Sequence, residues 1–146
     1  MSALKEAIKF DLKSARYSNS QDDSKLIGYF VKRTFAITTQ LHVYHLLTKN
    51  YNVHEIIGDL YESIQSNVDG LAEGYLAIGG ECEGTFESVT FYEYDFGQLM
   101  ELIFDYKDSI EESIESLESA EEEAIKAKLI NIQEAVHKAI YLLQMA

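Results

Sequence analysis

Proline and tryptophan are absent from this chain of 146 residues, and cysteine occurs once, at Cys82. Without proline nothing breaks a helix from inside, so long uninterrupted helices are open to it. A single thiol excludes an intrachain disulfide framework. The fold must then rest on its core, and an apolar content of 47% in one domain-sized chain suffices for one. Positive charge is scarce: 12 Lys and Arg against 25 Asp and Glu leave a net charge of −13. Such a surface does not hold nucleic acid by general attraction to phosphate, and DNA binding is not expected. No apolar run reaches membrane-spanning length, and the opening MSALKEAIKF lacks the apolar centre of a signal peptide. The expectation is a soluble cytoplasmic protein with no membrane partner. Histidine is rare too, yet three of the four fall between His42 and His54.

Capping signals and apolar periodicity predict the elements. Residues 2–17 read as a short amphipathic helix, with Leu4, Ile8 and Leu12 on one stripe and Lys5, Lys9 and Lys13 on another, and SNSQDD breaks it. Ser24 caps a long helix reaching about Thr48. Asn52-Val-His-Glu55 has capping-box form and opens a second helix, which reaches about Ile78 and is closed by Gly79-Gly80. After a longer connection, in which FESVTFYEYD is extended or briefly helical, Asp95-Phe-Gly-Gln98 opens a third helix. Ser119-Ala-Glu-Glu122 opens a fourth that runs nearly to the end. The acidic run EESIESLESAEEE keeps Ile110, Ile114 and Leu117 at helical spacing, so it is a solvated helix face and a turn. The expected fold is all-α: a four-helix bundle over residues 24–146 with one longer connection between its second and third helices. An N-terminal helix and linker over residues 1–23 precede it.

On the second helix, Val53, Ile56, Ile57, Leu60, Ile64, Leu71, Tyr75 and Ile78 share one arc, the core face. Asp69 and Glu73 lie about 150–170° from its centre, close to Glu62. Two acids four apart on a helix usually mean only a solvated face. The first helix alters that balance. Leu26, Phe30, Ile37, Leu41 and Tyr44 face the bundle, while Val31, Phe35, His42 and Leu46 form a second stripe roughly 120° round. A helix apolar on two sides is buried on two sides, and the second side most simply meets another subunit. His45 turns back toward the bundle stripe and reads as structural, or as a support behind a ligand.

His54 and Asp69 are roughly 22 Å apart along one helix at about 1.5 Å per residue, too far to share a metal. Two such helices crossing antiparallel on a two-fold axis would bring His54 of one chain near Asp69 and Glu73 of the other. The crossing midpoint would fall near Glu62, with Gly58 allowing close approach. One set of residues then makes two identical sites, each with two imidazoles and two carboxylates. That mixture suits divalent iron, manganese or zinc, and it suits Fe²⁺ oxidation because carboxylates stabilise the ferric product.

The run His42-x₁₁-His54-x₁₄-Asp69-x₃-Glu73-x₅-Gly79-Gly80 resembles the ferroxidase signature of Dps, the starvation-inducible mini-ferritin family. The phrase VHEIIGDLYESIQSNVDGLAEGYLAIGG is similar to that family's second helix throughout. The resemblance covers residues 24–146 and is strongest over 42–80. It implies a ferritin-like bundle, Fe²⁺ oxidation by peroxide in preference to dioxygen, and a ferric core stored inside a homo-oligomer, up to a twelve-subunit shell. It also implies that the His pair comes from one subunit and the Asp and Glu from its two-fold mate. His42, His54, Asp69 and Glu73 would then be the metal ligands, with Glu73 bridging two irons and Glu62 an extra donor. Zinc or manganese could take the place of iron.

The departures from that pattern carry information. Val43 stands where the family has an aromatic residue. Gly58 stands where it has an acid four residues after the second His, so the second metal position is expected to be weak or altered. Restoring the acid as Gly58→Asp would strengthen it, provided the side chain fits. Asp59 points about 100° away, and Glu55 is expected to be taken up by the helix cap. A Lys-rich disordered arm is absent, leaving Lys5, Lys9, Lys13 and Arg16 as the one basic stripe. The competing reading is a non-catalytic structural or interaction protein with a degenerate metal site, of the kind tailed phages encode, in which case the cytoplasm is the host's. Glu134-x-x-His137 has the spacing used by single-chain di-iron bundles. Its residues sit about 180° and 120° from the stripe of Ile125, Leu129, Ile132 and Val136, however, and so point outward. Nothing resembles a Ser or Cys nucleophile arrangement, a phosphate loop or a zinc finger.

Overall fold

Asn50, Asp95 and Ser119 decide where three of the helices begin. The computed structural model describes residues 25–82, 91 and 93–146, and these carry four long helices. They are α1 (Leu26–Leu47), α2 (Tyr51–Ala77), α3 (Phe96–Glu115) and α4 (Glu123–Leu143), the last entered through a 3₁₀ turn at Ala120–Glu122. No strand occurs among the described residues, and no helix there is long and apolar enough to cross a membrane. The helix expected over residues 2–17, the Ser24 cap and the basic stripe lie outside the described residues.

The Asn50 side chain accepts from the Val53 N–H at 3.2 Å, so α2 starts earlier than a box built on Asn52 requires. Glu55 is therefore not used in the cap. Asp95 accepts from the Gln98 N–H at 2.8 Å, as its capping pattern predicts. The Ser119 N–H and hydroxyl both donate to Glu122 Oε1, at 3.0 and 2.8 Å, and these bonds hold the Glu122 carboxyl below the ordinary range. At the end of α2 the Gly80 N–H donates to the Tyr75 carbonyl at 2.9 Å and the Gly79 N–H to that of Leu76 at 3.1 Å. This is the paired closure that satisfies a helix's last carbonyls through a left-handed residue. Gly79 supplies it with φ +91°, and a Cβ on Gly80 would run into the Tyr75 ring. The double glycine is thus needed at both positions.

α1 packs on α2, α2 on α4, α4 on α3 and α3 on α1, closing a ring in which α1/α4 and α2/α3 are the diagonals. Lys25 and Tyr29 at the start of α1, Tyr75 and Ile78 at the end of α2, and Glu122 at the entry to α4 line one cavity, so they share one end of the bundle. At the other end Tyr94, just ahead of α3, meets Tyr44 of α1 edge-on at 5.9 Å. α1 and α4 therefore run one way and α2 and α3 the other. The end of α2 and the start of α3 thus lie at opposite ends and on diagonal corners of the bundle. Ile37, Leu41, Ile57, Ile64, Leu71, Leu99, Ile103, Ile110, Leu129 and Ile132 fill the interior with almost no exposure.

α1 departs from the expected two-stripe pattern. Val31 belongs to the core, and the second buried side is Arg33, Ala36, Gln40 and Val43. Phe35, His42 and Leu46 remain together on an exposed line, with Phe35 at 49% and Leu46 at 59% of full exposure.

One polar contact crosses the core. Thr34 Oγ1 donates its single proton to the Phe30 carbonyl at 2.8 Å, so the Tyr106 hydroxyl, also 2.8 Å away, must donate to Thr34. Burial drives the Tyr106 phenol far above the ordinary phenol range. Its stabilisation is then fully present below the unfolded value near pH 10 and is lost as pH rises past it. Tyr106→Phe is expected to cost about 1 kcal/mol at neutral pH by urea denaturation. It should also flatten the alkaline fall in thermal stability.

Candidate metal centre

Three of the chain's four histidines meet where α1 ends and α2 begins. α1 stops at Leu47, so the carbonyl of His45 is among those its own helix leaves unpaired. His54, in the first turn of α2, fills that gap: its Nδ1 lies 2.7 Å from the His45 carbonyl oxygen. The bond is returned, with His45 Nδ1 2.6 Å from the His54 carbonyl oxygen. The two rings stack with centroids 3.7 Å apart and planes 19° apart. A carbonyl only accepts, so both Nδ1 atoms carry the proton and both Nε2 atoms keep a lone pair in the neutral ring. This is the tautomer in which metal-binding imidazoles are usually held.

His42 is exposed on α1, with its ring centroid 6.0 Å from that of His45. It stacks on Tyr61 at 4.6 Å, and Tyr61 also meets His45 edge-on at 5.5 Å. Burial, and then the Glu62 carboxylate, push the Tyr61 phenol up, so it stays protonated at neutral pH. Tyr61 was not marked by the sequence pattern; its spacing, two turns beyond His54, is the signal that points to it. Glu55 is not a capping residue: its Oε1 lies 4.0 Å from His54 Nε2.

Gly58 has a different role from the one its sequence position suggests. A Cβ there would come within 2.9 Å of His45 Cε1 and 3.1 Å of His45 Nδ1. The glycine makes room for the His45 ring inside one chain. An Asp at position 58 does not fit while that ring stays in place, so the condition on which Gly58→Asp was expected to strengthen the second position is not met.

Asp69, Glu73 and Glu62 lie exposed on α2. Asp69 is roughly 22 Å along the helix from His54. Among the described residues no group of three or more His, Cys, Asp and Glu is placed to hold a metal ion. Glu134 and His137 are both exposed on α4, as their angular positions predict, and Glu134 lines a groove with Asp59 and Lys138 instead of joining the imidazoles. Cys82 is exposed, and partial burial of its thiol raises rather than lowers its pKa, so it is not an activated nucleophile.

Residues 45–143 match the model of DUF5856, a family of unknown function. The chain belongs to that family. The span matched by DUF5856 begins at His45 and includes His54, Gly58, Asp69 and Glu73, and it leaves His42 just outside. No curated protein and no solved structure matches the chain.

The paired bonds predict the effect of one small substitution. Gly58→Ala should force the His45 ring off its carbonyl, because a planar ring held at Nδ1 has little freedom to give. The expected cost is about 1–3 kcal/mol, read by thermal or urea denaturation. The ring ¹⁵N resonances of His45 and His54 should move with it; unchanged stability and resonances would contradict the packing described here.

Proposed function

We propose that this chain is a ferritin-like, metal-binding homo-oligomer that oxidises Fe²⁺ at a site shared between two copies on a two-fold axis. The observation that carries the reading is the division of donors on α2. His45 and His54 keep Nε2 lone pairs at its start, exposed carboxylates lie along its later half, and among the described residues no group of three or more such donors is placed to hold a metal within one chain. The parallel, diagonal placement of α2 and α3 supports the ferritin-like assignment, since that bundle too has one pair of consecutive helices that are not antiparallel neighbours. Exposed Phe35 and Leu46 flank His42 and give a second copy apolar surface to cover. Tyr51 and Leu76, both largely exposed near opposite ends of α2, would face each other in an antiparallel pair.

In this reading His42 and His54 hold the iron from one chain, and Asp69 and Glu73 complete the site from the other. Glu73 bridges, and Glu62 is an additional donor near the axis. Iron is substrate here: each Fe²⁺ gives one electron to the oxidant, and the carboxylates stabilise the ferric product. Zinc or manganese would occupy the same donors without that turnover.

A second reading has an observation of its own. The reciprocal His45–His54 bonds give two of the histidines a structural reason to be present. A non-catalytic interaction protein could keep the same bundle and the same dimer face.

Anaerobic Fe²⁺ titration by calorimetry, followed by peroxide, separates the two readings. The ferroxidase reading expects saturable binding and a rise in ferric absorbance. It expects both to be lost in His42→Ala and in Asp69→Ala, and both to be kept in Glu134→Ala. The interaction reading expects no saturable binding from a protein that is still dimeric by light scattering. A stable monomer at micromolar concentration would remove the shared site altogether.

A further inference from the structure

α4 meets the first half of α2 with two alanines. Ala135 and Ala139, one turn apart, are too short to fill the space beside Ile56 and Leu60, and a groove of about 290 Å³ lies there between the helices. Ile56, Leu60, Ala135, Ala139 and Leu142 make its apolar floor, and Ile56, Ala135 and Leu142 are half-exposed. Asp59 on α2 and Glu134 on α4 stand exposed on its rims, with Lys138 one turn after Glu134. Toward the middle of the bundle the Asn131 amide donates to Asn67 Oδ1 at 3.2 Å and ties the two helices together. The groove is just smaller than a small-molecule pocket of roughly 300–1,000 Å³. An apolar floor between acidic rims suits instead one face of an amphipathic helix laid along it.

The chain supplies such a segment. Residues 1–24 lie outside the described residues, and their sequence carries Leu4, Ile8 and Leu12 on one stripe beside Lys5, Lys9 and Lys13. As a helix, Leu4 to Leu12 spans about 12 Å, and the groove from Ile56 to Ser63 about 10 Å. Charge separates this groove from the exposed apolar line on α1. That helix carries Lys32 and Arg33 and no acid, so it offers the lysines no partner of its own. The segment can also reach. Lys25 sits beside the end of α2, so Ser63 is roughly 22 Å from it along the bundle. Residues 18–24 cover roughly 23 Å when extended and helical residues 14–17 add about 6 Å, enough for that and for a step of about 10 Å across α2. We propose that residues 4–13 dock as a helix in the α2–α4 groove of their own chain, with Leu4, Ile8 and Leu12 on its floor and the lysines against Asp59 and Glu134. Asp69 lies about 140° round α2 from Ile56, so this contact stands independently of the shared metal site.

Carbodiimide coupling of the full-length protein tests the proposal, because it joins a lysine amine only to a carboxyl in contact with it. Equal amounts of unlabelled and ¹⁵N-labelled chain are mixed, coupled and digested, and the joined peptides are identified by mass. Lys5, Lys9 and Lys13 should couple to Asp59 and Glu134 within one chain, at least about tenfold more than to the exposed Asp69, Glu73 or Glu115. Ile8→Asp changes no residue of the bundle and should cut the groove coupling at least about tenfold. Coupling spread evenly over the exposed acids, or gathered on Glu81 and Glu122 at the other cavity, would overturn the proposal. So would groove coupling that is unchanged in Ile8→Asp. Coupling found only between unlabelled and labelled chains would overturn it too, by assigning the groove to the segment of a second copy.

Discussion

Two hydrogen bonds across the α1–α2 turn, each from one histidine ring to the other's main-chain carbonyl, fix where these helices meet. The constraint arises from an ordinary need. A helix end leaves carbonyls without partners, and burying them unpaired costs free energy. His54 meets that need for α1 from the first turn of α2, and His45 answers in kind. The consequences extend beyond capping. Both rings become locked in one tautomer, the stack at 3.7 Å becomes rigid, and His42 is left beside them on the outer face of α1 with Tyr61 against it. Gly58 follows from the same arrangement, because the stacked ring occupies the space a side chain would use.

The second constraint is length. α2 runs from Tyr51 to Ala77, and helix geometry separates its histidine end from its acidic stretch by roughly 22 Å. The bundle cannot fold that distance away, since α2 is buried along its whole inner face between α1 and α4. In the proposed function a second copy, turned end for end, removes the separation. The exposed Phe35, Leu46, Tyr51 and Leu76 give that copy apolar surface to cover.

Much of this was legible in the sequence because helices announce themselves through caps and periodicity. Asp95 and Ser119 mark starts that the structure reproduces, and Gly79-Gly80 marks an end. The start of α2 was misplaced because Asn50 and Asn52 both offer capping chemistry, and only geometry shows that Asn50 makes the bond. Val31 was assigned to an outer stripe, since angular position on a helix cannot say which sectors neighbouring elements cover. His42, His54, Asp69 and Glu73 could be singled out by type and spacing. The meaning of Gly58 could not: it depends on a ring thirteen positions earlier that packs against it only once α1 and α2 are folded together. Tyr61 was not singled out, being one tyrosine among ten: its spacing, two turns beyond His54, gains meaning only once its ring is found against His42.

The central claim is that each metal site draws on two chains, and mixing two defective chains tests it directly. His42→Ala removes an imidazole from one half and Asp69→Ala a carboxylate from the other. After subunit exchange a mixed dimer carries both lesions in one site and none in the other. The account predicts that each variant alone is inactive in peroxide-driven Fe²⁺ oxidation. An equal mixture should recover about a quarter of wild-type activity, since about half the dimers are mixed and each has one intact site. No recovery on mixing, with exchange verified by mass, would place the whole site within one chain and contradict the account.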